Sequence, residues 1–180
     1  MNGQNWDMHE WTVAGAVIES GCLWAGCPSD EPGLLLVENE RRGGHRDWTT
    51  PGGVIDAGED YRSGLAREVQ EETGLTVVTW SDLLYTVSVE APSLEWTLRV
   101  EVHRAEAVQG QLTIGEDPDG IVVGADWVGS DRYGDLLGSS PRWVSEPLIE
   151  WLDQRFDQPR SFSYLLDGSG PPDFTVERTG

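Results

Sequence analysis

The segment from Gly53 to Leu75 restricts the fold more than any other part of the chain, because a glycine-rich turn leads there directly into a short, acidic helical pattern. Asp60 or Glu59 can cap the first turn of this helix, and Gly74 stands where helices commonly end in a glycine. We therefore predict a helix from near Asp60 to Thr73 that is entered from a tight turn.

Three glutamates of the predicted helix share one face. A helix turns by about 100° per residue, so Glu71 and Glu72, which follow Glu68 by three and four positions, lie close to it. Like charges at this spacing destabilise an isolated helix by roughly a few tenths of a kcal/mol per pair, and a divalent cation would offset that repulsion. Oxygen ligands of this kind suit hard cations such as Mg²⁺. A solvated acidic face is the ordinary alternative.

The residues around the helix distinguish these two explanations. Gly53 is followed after five residues by Glu59, and after seven more by the run Arg67-Glu68-Val69-Gln70-Glu71-Glu72-Thr73-Gly74-Leu75. This pattern matches every specified position of the Nudix box, and the preceding segment Trp48-Thr49-Thr50-Pro51-Gly52-Gly53 is similar to the one that commonly leads into it. The chain therefore resembles the Nudix hydrolases, and we expect the resemblance to extend to about Phe156.

The resemblance implies a fold and a reaction. Nudix hydrolases are α/β proteins that form an α/β/α sandwich with a mixed central sheet in a single domain. They hydrolyse a nucleoside diphosphate linked to another moiety, by attack of water on a phosphorus of the pyrophosphate bridge, usually with Mg²⁺ or Mn²⁺. The alternative is a Nudix-like module that binds a nucleotide or sugar nucleotide without turnover. Such modules often lose box carboxylates, whereas this chain keeps all of them, which favours an enzyme.

The resemblance also implies roles for individual residues. It assigns catalysis to Glu68, Glu71 and Arg67, metal ligation to Gly52, Glu68, Glu71, Glu72 and Glu116, and support of the loop and helix to Gly53 and Glu59. Glu68 would ligate the metal or act as the general base, and Gly52 would contribute its backbone carbonyl. Many family members recruit one acidic residue from a distant loop, and Glu116, Asp117 and Asp119 are the candidates here. A simple Asp-Pro-Asp-Gly turn also explains those three residues.

Patterns outside the box predict further strands and one more helix. Residues 11–18 and 33–37 predict a hairpin of two strands, and a polar loop follows over residues 38–48. Strands are predicted at 76–78, 83–89, 94–102 and 121–128, and a helix at 145–156. We divide the chain into an N-terminal extension over residues 1–10, the hydrolase domain over 11–156, and a tail over 157–180 that is extended or partly disordered.

The net charge excludes several classes of partner. Twelve basic and thirty-two acidic side chains give a formal charge of −20, which repels nucleic-acid polymers and anionic membranes. A small phosphate substrate would need a cation to shield it. No apolar run is long enough for a membrane span, and residues 1–10 do not resemble a secretory signal, so we expect a cytoplasmic protein. Cys22 and Cys27 are expected to be ordinary thiols. The resemblance leaves a homodimer open.

Specificity in this family comes from outside the box. Arg41, Arg42 and Arg46 are the candidates for phosphate contact, against the alternative of a solvated turn, and Trp48 is a candidate for stacking on a base. Some members that cleave ADP-ribose carry a proline about fifteen residues past the box, but Glu90 stands there and Pro92 follows two positions later. The sequence therefore favours a nucleoside triphosphate, intact or oxidised, or a nucleotide sugar such as ADP-ribose, without deciding between them.

Overall fold

Two β-sheets and three α-helices form the protein in a computed structural model, which describes residues 9–20, 33–114, 120–169 and 173–180. The strands are β1 (His9–Ile18), β2 (Leu34–Glu40), β3 (Arg46–Thr49), β4 (Gly52–Val54), β5 (Thr76–Ala91), β6 (Trp96–Gln109), β7 (Val122–Val128), β8 (Arg160–Asp167) and β9 (Thr175–Arg178). The helices are α1 (Tyr61–Thr73), α2 (Tyr133–Leu137) and α3 (Arg142–Gln154). The predicted α/β class is confirmed.

The larger sheet is mixed and has the strand order β4-β1-β6-β5-β8-β9. Strand β1 runs parallel to β6, and β5 runs parallel to β8, while the other neighbours are antiparallel. A smaller antiparallel sheet has the order β3-β2-β7. One hydrophobic cluster lies between the two sheets and contacts α2 and α3, and a second lies beneath α1, where Leu65 and Val69 are fully buried. The two clusters cover opposite faces of the larger sheet.

Helix α1 agrees with its prediction from sequence. The Asp60 carboxylate accepts a hydrogen bond from the Arg62 backbone N–H at 3.1 Å, which satisfies one of the N–H groups that a helix leaves unpaired at its start. At the other end Gly74 adopts φ 69°, a left-handed conformation that glycine adopts without strain. The helix that carries the acidic face therefore has the two ends that its sequence indicated.

The predicted hairpin of residues 11–18 and 33–37 was wrong. Strand β1 belongs to the larger sheet and β2 to the smaller one, and a single isolated bridge between Glu19 and Leu34 joins their ends. Continuous apolar runs identify buried strands, but they do not specify the pairing partner. The loop predicted over residues 38–48 is instead largely a hairpin, since β2 pairs antiparallel with β3.

The strands predicted at 76–78 and 83–89 form one long strand, β5. Its pairing with β6 shifts register several times between Val77 and Tyr85, and these irregularities produced the apparent gap in the sequence pattern. Beyond residue 156, strand β8 pairs with β5 and buries Phe162, Tyr164 and Leu166 in the core. The larger sheet therefore continues into residues 157–180, the segment predicted to be an extended or partly disordered tail. Within the described residues, no helix has both the length and the apolar character to cross a membrane.

Candidate active site

The turn before α1 brings the glycine-rich loop against strand β1. Gly52 adopts φ 149°, and a Cβ atom built there would lie 2.9 Å from the Gly15 Cα, closer than real side chains approach backbone. The Ala16 N–H donates to the Pro51 carbonyl at 2.8 Å and fastens the same loop to β1. Because backbone lies on both sides of this contact, the loop cannot relax around a side chain, and glycine is required at position 52.

Gly53 makes room for the Glu68 carboxylate. A Cβ atom at Gly53 would lie 2.6 Å from Glu68 Cδ and 3.1 Å from Glu68 Oε1. The Glu68 side chain, which is 16% exposed, therefore lies directly against the backbone of the loop. This close approach explains physically why the first glycine of the motif and its first helical glutamate occur together.

Arg67 connects three carboxylates. Its Nη1 donates to Glu68 Oε1 at 2.6 Å and to Glu71 Oε2 at 3.2 Å, and its Nη2 donates to Glu59 Oε2 at 3.2 Å. Nη2 also contacts the Val54 carbonyl at 3.4 Å. The hydrogen bonds to Glu59 and Glu68 raise the pKa of Arg67 above its ordinary value, and the hydrogen bond from Arg67 lowers the pKa of the Glu59 carboxyl. Loop and helix are therefore held together by charge-assisted hydrogen bonds.

Glu72 is an acidic side chain within the protein interior. It is only 7% exposed, and its Oε2 accepts a hydrogen bond from the Gly52 N–H at 2.9 Å. Burying a carboxylate is costly unless hydrogen bonds or a cation compensate it. Glu72 is thus a fourth carboxylate of the site, in addition to the three that contact Arg67, and it lies beside the Gly52 backbone.

The donor set fits a hard divalent cation in its chemistry. Three carboxylates share the single positive charge of Arg67, and Glu72 adds a fourth carboxylate from the same helix. All of these donors are oxygen atoms, which Mg²⁺ and Mn²⁺ prefer. Among the residues with described positions, no three His, Cys, Asp or Glu side chains converge as a ready-made metal cluster. Glu68 and Glu71 here contact the guanidinium group of Arg67 instead.

A cavity of about 290 Å³ adjoins these residues, close to the lower end of the roughly 300–1,000 Å³ typical of small-molecule sites. Its acidic lining consists of Glu68 and Glu72, which lie beside the backbone of Gly52 and Gly53. Its apolar lining includes Val87, Leu98, Val100 and Val102 from β5 and β6, and Trp143 and Leu148 from α3. Its polar lining comes from the smaller sheet and its loop, and consists of Asn39, Arg41, Thr49 and Thr50. The cavity therefore combines two carboxylates and several polar groups with an apolar wall.

The arginines proposed for phosphate contact already have acidic partners, except for Arg42, which is exposed. Arg41 lines the cavity but binds Asp47 through Nε at 2.9 Å and Nη2 at 3.1 Å. Arg46 pairs with Glu40 at 2.8 Å and Glu38 at 3.4 Å. Trp48 packs against the larger core cluster, and its backbone N–H donates to Ser139 Oγ at 3.2 Å. Of these four residues, only Arg41 contributes to the cavity lining.

Other parts of the site were missed or lie outside the described residues. The distal candidates Glu116, Asp117 and Asp119 fall in the segment 115–119, and Cys22 and Cys27 fall in 21–32, both outside the described part of the chain. Sequence reasoning did not identify Asn39 or Asp47, although a polar residue at a buried strand position is a usable signal once the strand is known. The contribution of α3 to the cavity had no local signal, because it depends on how the helix packs.

Comparison with known proteins identifies the family. The NUDIX domain model matches residues 24–152. An 8-oxo-(d)GTP phosphatase of Mycolicibacterium smegmatis is 30% identical over 129 residues, which are 72% of this chain and 38% of that protein. Nudix hydrolase 7 of Arabidopsis thaliana is 52% identical over 65 residues, 34% of this chain and 22% of that protein. The chain thus spans well under half the length of these curated relatives.

Solved structures show the same fold. The E. coli ORF135 protein superposes with a TM-score of 0.63 at 18% identity, over 87% of this chain and 100% of that one. The MutT protein from Methanosarcina mazei Go1 gives 0.61 at 21% identity, over 83% and 97%. These identities are low, so the likeness concerns the fold. Together with the domain match over most of the chain, it shows that this chain belongs to the Nudix hydrolase family.

Proposed function

We propose that the protein hydrolyses the pyrophosphate linkage of a nucleoside diphosphate joined to another moiety, with the help of a divalent cation. The observation that carries the proposal is that one cavity of about 290 Å³ combines two carboxylates of α1, Glu68 and Glu72, with an extensive apolar lining. Phosphoryl transfer depends mainly on positioning and charge stabilisation, and this site offers both kinds of group.

Glu68, Glu71 and Glu72 would hold Mg²⁺ or Mn²⁺, with the Gly52 carbonyl and an acidic residue such as Glu116 as further ligands. When bound, the cation shields the phosphate charge and makes a water molecule easier to deprotonate. The proposal explains why Glu72 is kept ionisable in a buried position that would otherwise favour an apolar side chain.

Glu68 is the proposed proton acceptor. It lines the cavity, and its Oε1 is oriented by the 2.6 Å hydrogen bond from Arg67, which Glu59 holds in turn. Water attacks a phosphorus of the bridge, its oxygen forms the new P–O bond, its proton passes to Glu68, and the bridging oxygen leaves with the other phosphate. In this scheme Arg67 and Glu59 position the Glu68 carboxylate, and Glu71 would bind the cation.

A nucleoside triphosphate, intact or oxidised, is the proposed substrate in preference to a nucleotide sugar. The similarity to a protein named as an 8-oxo-(d)GTP phosphatase supports this choice, and so does the apolar lining, which offers few partners to the hydroxyl groups of a second sugar. A net charge of −20 favours a small nucleotide over a nucleic-acid polymer. The proposal includes a cytoplasmic setting, where such nucleotides and Mg²⁺ occur together.

A phosphate-release screen tests the proposal. We expect turnover of at least one compound among intact and oxidised nucleoside triphosphates, ADP-ribose, sugar nucleotides and dinucleoside polyphosphates, with Mg²⁺ or Mn²⁺. Glu68→Gln should lower kcat by about 10²–10⁴-fold, the usual range for a general base, while thermal unfolding stays close to that of the wild type. Absence of turnover with every compound and both metals would favour a binding module. Wild-type turnover by a folded Glu68→Gln variant would remove Glu68 from the mechanism.

A further inference from the structure

A buried polar cluster lies where the smaller sheet borders the cavity. Asn39 on β2 and Asp47 on β3 face each other across the strand pair, and each is only 4% exposed. Asn39, Arg41 and Thr49 also line the cavity. Buried polar groups must be hydrogen-bonded, so the pattern of donors and acceptors in this cluster determines which atoms remain for a ligand.

The charges of the cluster force one orientation on the Asn39 amide. Arg41 donates two hydrogen bonds to Asp47, at 2.9 and 3.1 Å, so both oxygens of this carboxylate act as acceptors. Asn39 must therefore turn its NH₂ group towards Asp47, and Nδ2 donates to Asp47 Oδ1 at 3.0 Å. The second hydrogen of the same nitrogen goes to Thr49 Oγ1, also at 3.0 Å. The reverse orientation would place two acceptors against each other.

This arrangement defines what a ligand meets at the polar lining. With both amide hydrogens of Asn39 committed, the remaining polar atom of its side chain is the acceptor Oδ1. Thr49 Oγ1 accepts from Asn39, so the proton of its hydroxyl group is left for donation. Asp47 compensates the charge of Arg41, which removes the reason to expect a phosphate there. The acceptor Asn39 Oδ1 and the donor hydroxyl group of Thr49, both uncharged, therefore lie side by side in the cavity lining.

We propose that Asn39 and Thr49 determine specificity by binding the donor–acceptor edge of an uncharged planar ring, such as the N–H and carbonyl or ring-nitrogen edge of a nucleobase. The faces of such a ring suit the apolar lining from β5, β6 and α3, which offers few partners to a polyhydroxylated sugar. Asp47 and Arg41 act behind them as positioning residues. The inference rests on the proposed hydrolysis, because the ring is the part of the substrate that is not cleaved.

The test changes the protein and the ligand together. Kinetics are measured for the preferred nucleoside triphosphate and for a derivative that carries a methyl group on the N–H of the same edge. We expect the wild type to prefer the unmodified ring by about tenfold in kcat/KM, which corresponds to one uncharged hydrogen bond, mostly through KM. Asn39→Leu removes the acceptor of the ring N–H, so it should lose most of this preference and leave the methylated substrate almost unaffected. Thr49→Val removes the donor to the ring acceptor, so it should raise KM for both substrates by a similar factor.

A matched control separates recognition from folding. Thr86 donates to Ser161 on the opposite face of the larger sheet, so Thr86→Val removes the same hydroxyl group far from the cavity and should keep the tenfold preference. If Asn39→Leu does not fold, Thr49→Val still tests the donor, because it should raise KM for both substrates whereas Thr86→Val should not. Equal discrimination by the wild type and a folded Asn39→Leu variant, or an unchanged KM in Thr49→Val, would overturn the inference while the hydrolysis stands. If no nucleotide is hydrolysed, the same pair of ligands is compared by calorimetric binding, which tests the ring contact independently.

Discussion

Gly53→Ala is the sharpest single perturbation of the proposed chemistry. The new Cβ would lie 2.6 Å from Glu68 Cδ, whereas ordinary contacts begin near 3.4 Å, so the carboxyl group must move by about 0.8 Å. The obstacle is the end of a flexible side chain, which can move away at little cost to the fold. Displacement of a reacting group by about 1 Å can lower the rate by roughly 10²-fold, so we expect kcat to fall by that order.

The assay compares three glycine variants by steady-state kinetics and by thermal unfolding. Gly53→Ala should keep a Tm close to that of the wild type. Gly52→Ala should destabilise the fold, because its Cβ would press on the backbone of β1 and its φ of 149° suits only glycine. Gly134→Ala in α2 has no atom within 4 Å of the added carbon and should leave both quantities unchanged. A folded Gly53→Ala variant with kcat within twofold of the wild type would refute the assignment of Glu68.

Three further changes test the groups around the site. Arg67→Gln should lower kcat more than it raises KM, because Glu68 loses its 2.6 Å hydrogen bond. Glu59→Gln should have a weaker effect of the same kind. A change in KM alone in both variants would contradict the positioning role of Arg67 and Glu59. Glu72→Gln keeps an acceptor for the Gly52 N–H and should remain folded but lose activity, and activity with Mg²⁺ would argue against Glu72 as a ligand. Hydrogen bonds from Arg178 and Arg160 lower the pKa of Glu150. The ionised Glu150 carboxylate therefore stabilises the fold fully above its ordinary pKa of 4.5, and this stabilisation is lost as the pH falls through the lowered pKa. The free energies of unfolding of Glu150→Gln and the wild type, measured by chemical denaturation, should differ at pH 7 and converge in acid.

Local sequence was a good guide where each residue's role depends on near neighbours. The ends of α1 depend on Asp60 and Gly74, and the shared face of its glutamates depends on helical spacing alone, so both could be predicted. The acidic helix and its turn are close in sequence, which explains why a pattern of 23 residues, from Gly53 to Leu75, captured most of the proposed catalytic groups.

Sequence was a poor guide where roles depend on pairing between distant segments. The pairing of β1 with β4 and β6, rather than with β2, depends on which sheet buries each strand. Arg41 and Arg46 looked like phosphate contacts because the loop is rich in arginine, yet antiparallel pairing of β2 and β3 sets Asp47 and Glu40 beside them. A count of charged residues along the sequence does not show which arginine side chains are paired with carboxylates in the folded protein.

The residues that line the candidate cavity are distributed over the chain for the same reason. Trp143 and Leu148 of α3 line the cavity, while Glu150 on the same helix accepts hydrogen bonds from Arg160 of β8 at 2.8 Å and from Arg178 of β9 at 2.9 Å. Both arginines lie beyond residue 152, where the domain match ends. The proposed catalytic groups thus lie in the family motif, whereas the cavity wall proposed to contact the ring of the substrate is held by strands outside that motif. Sequence changes in β8 and β9 should therefore alter KM before they alter kcat.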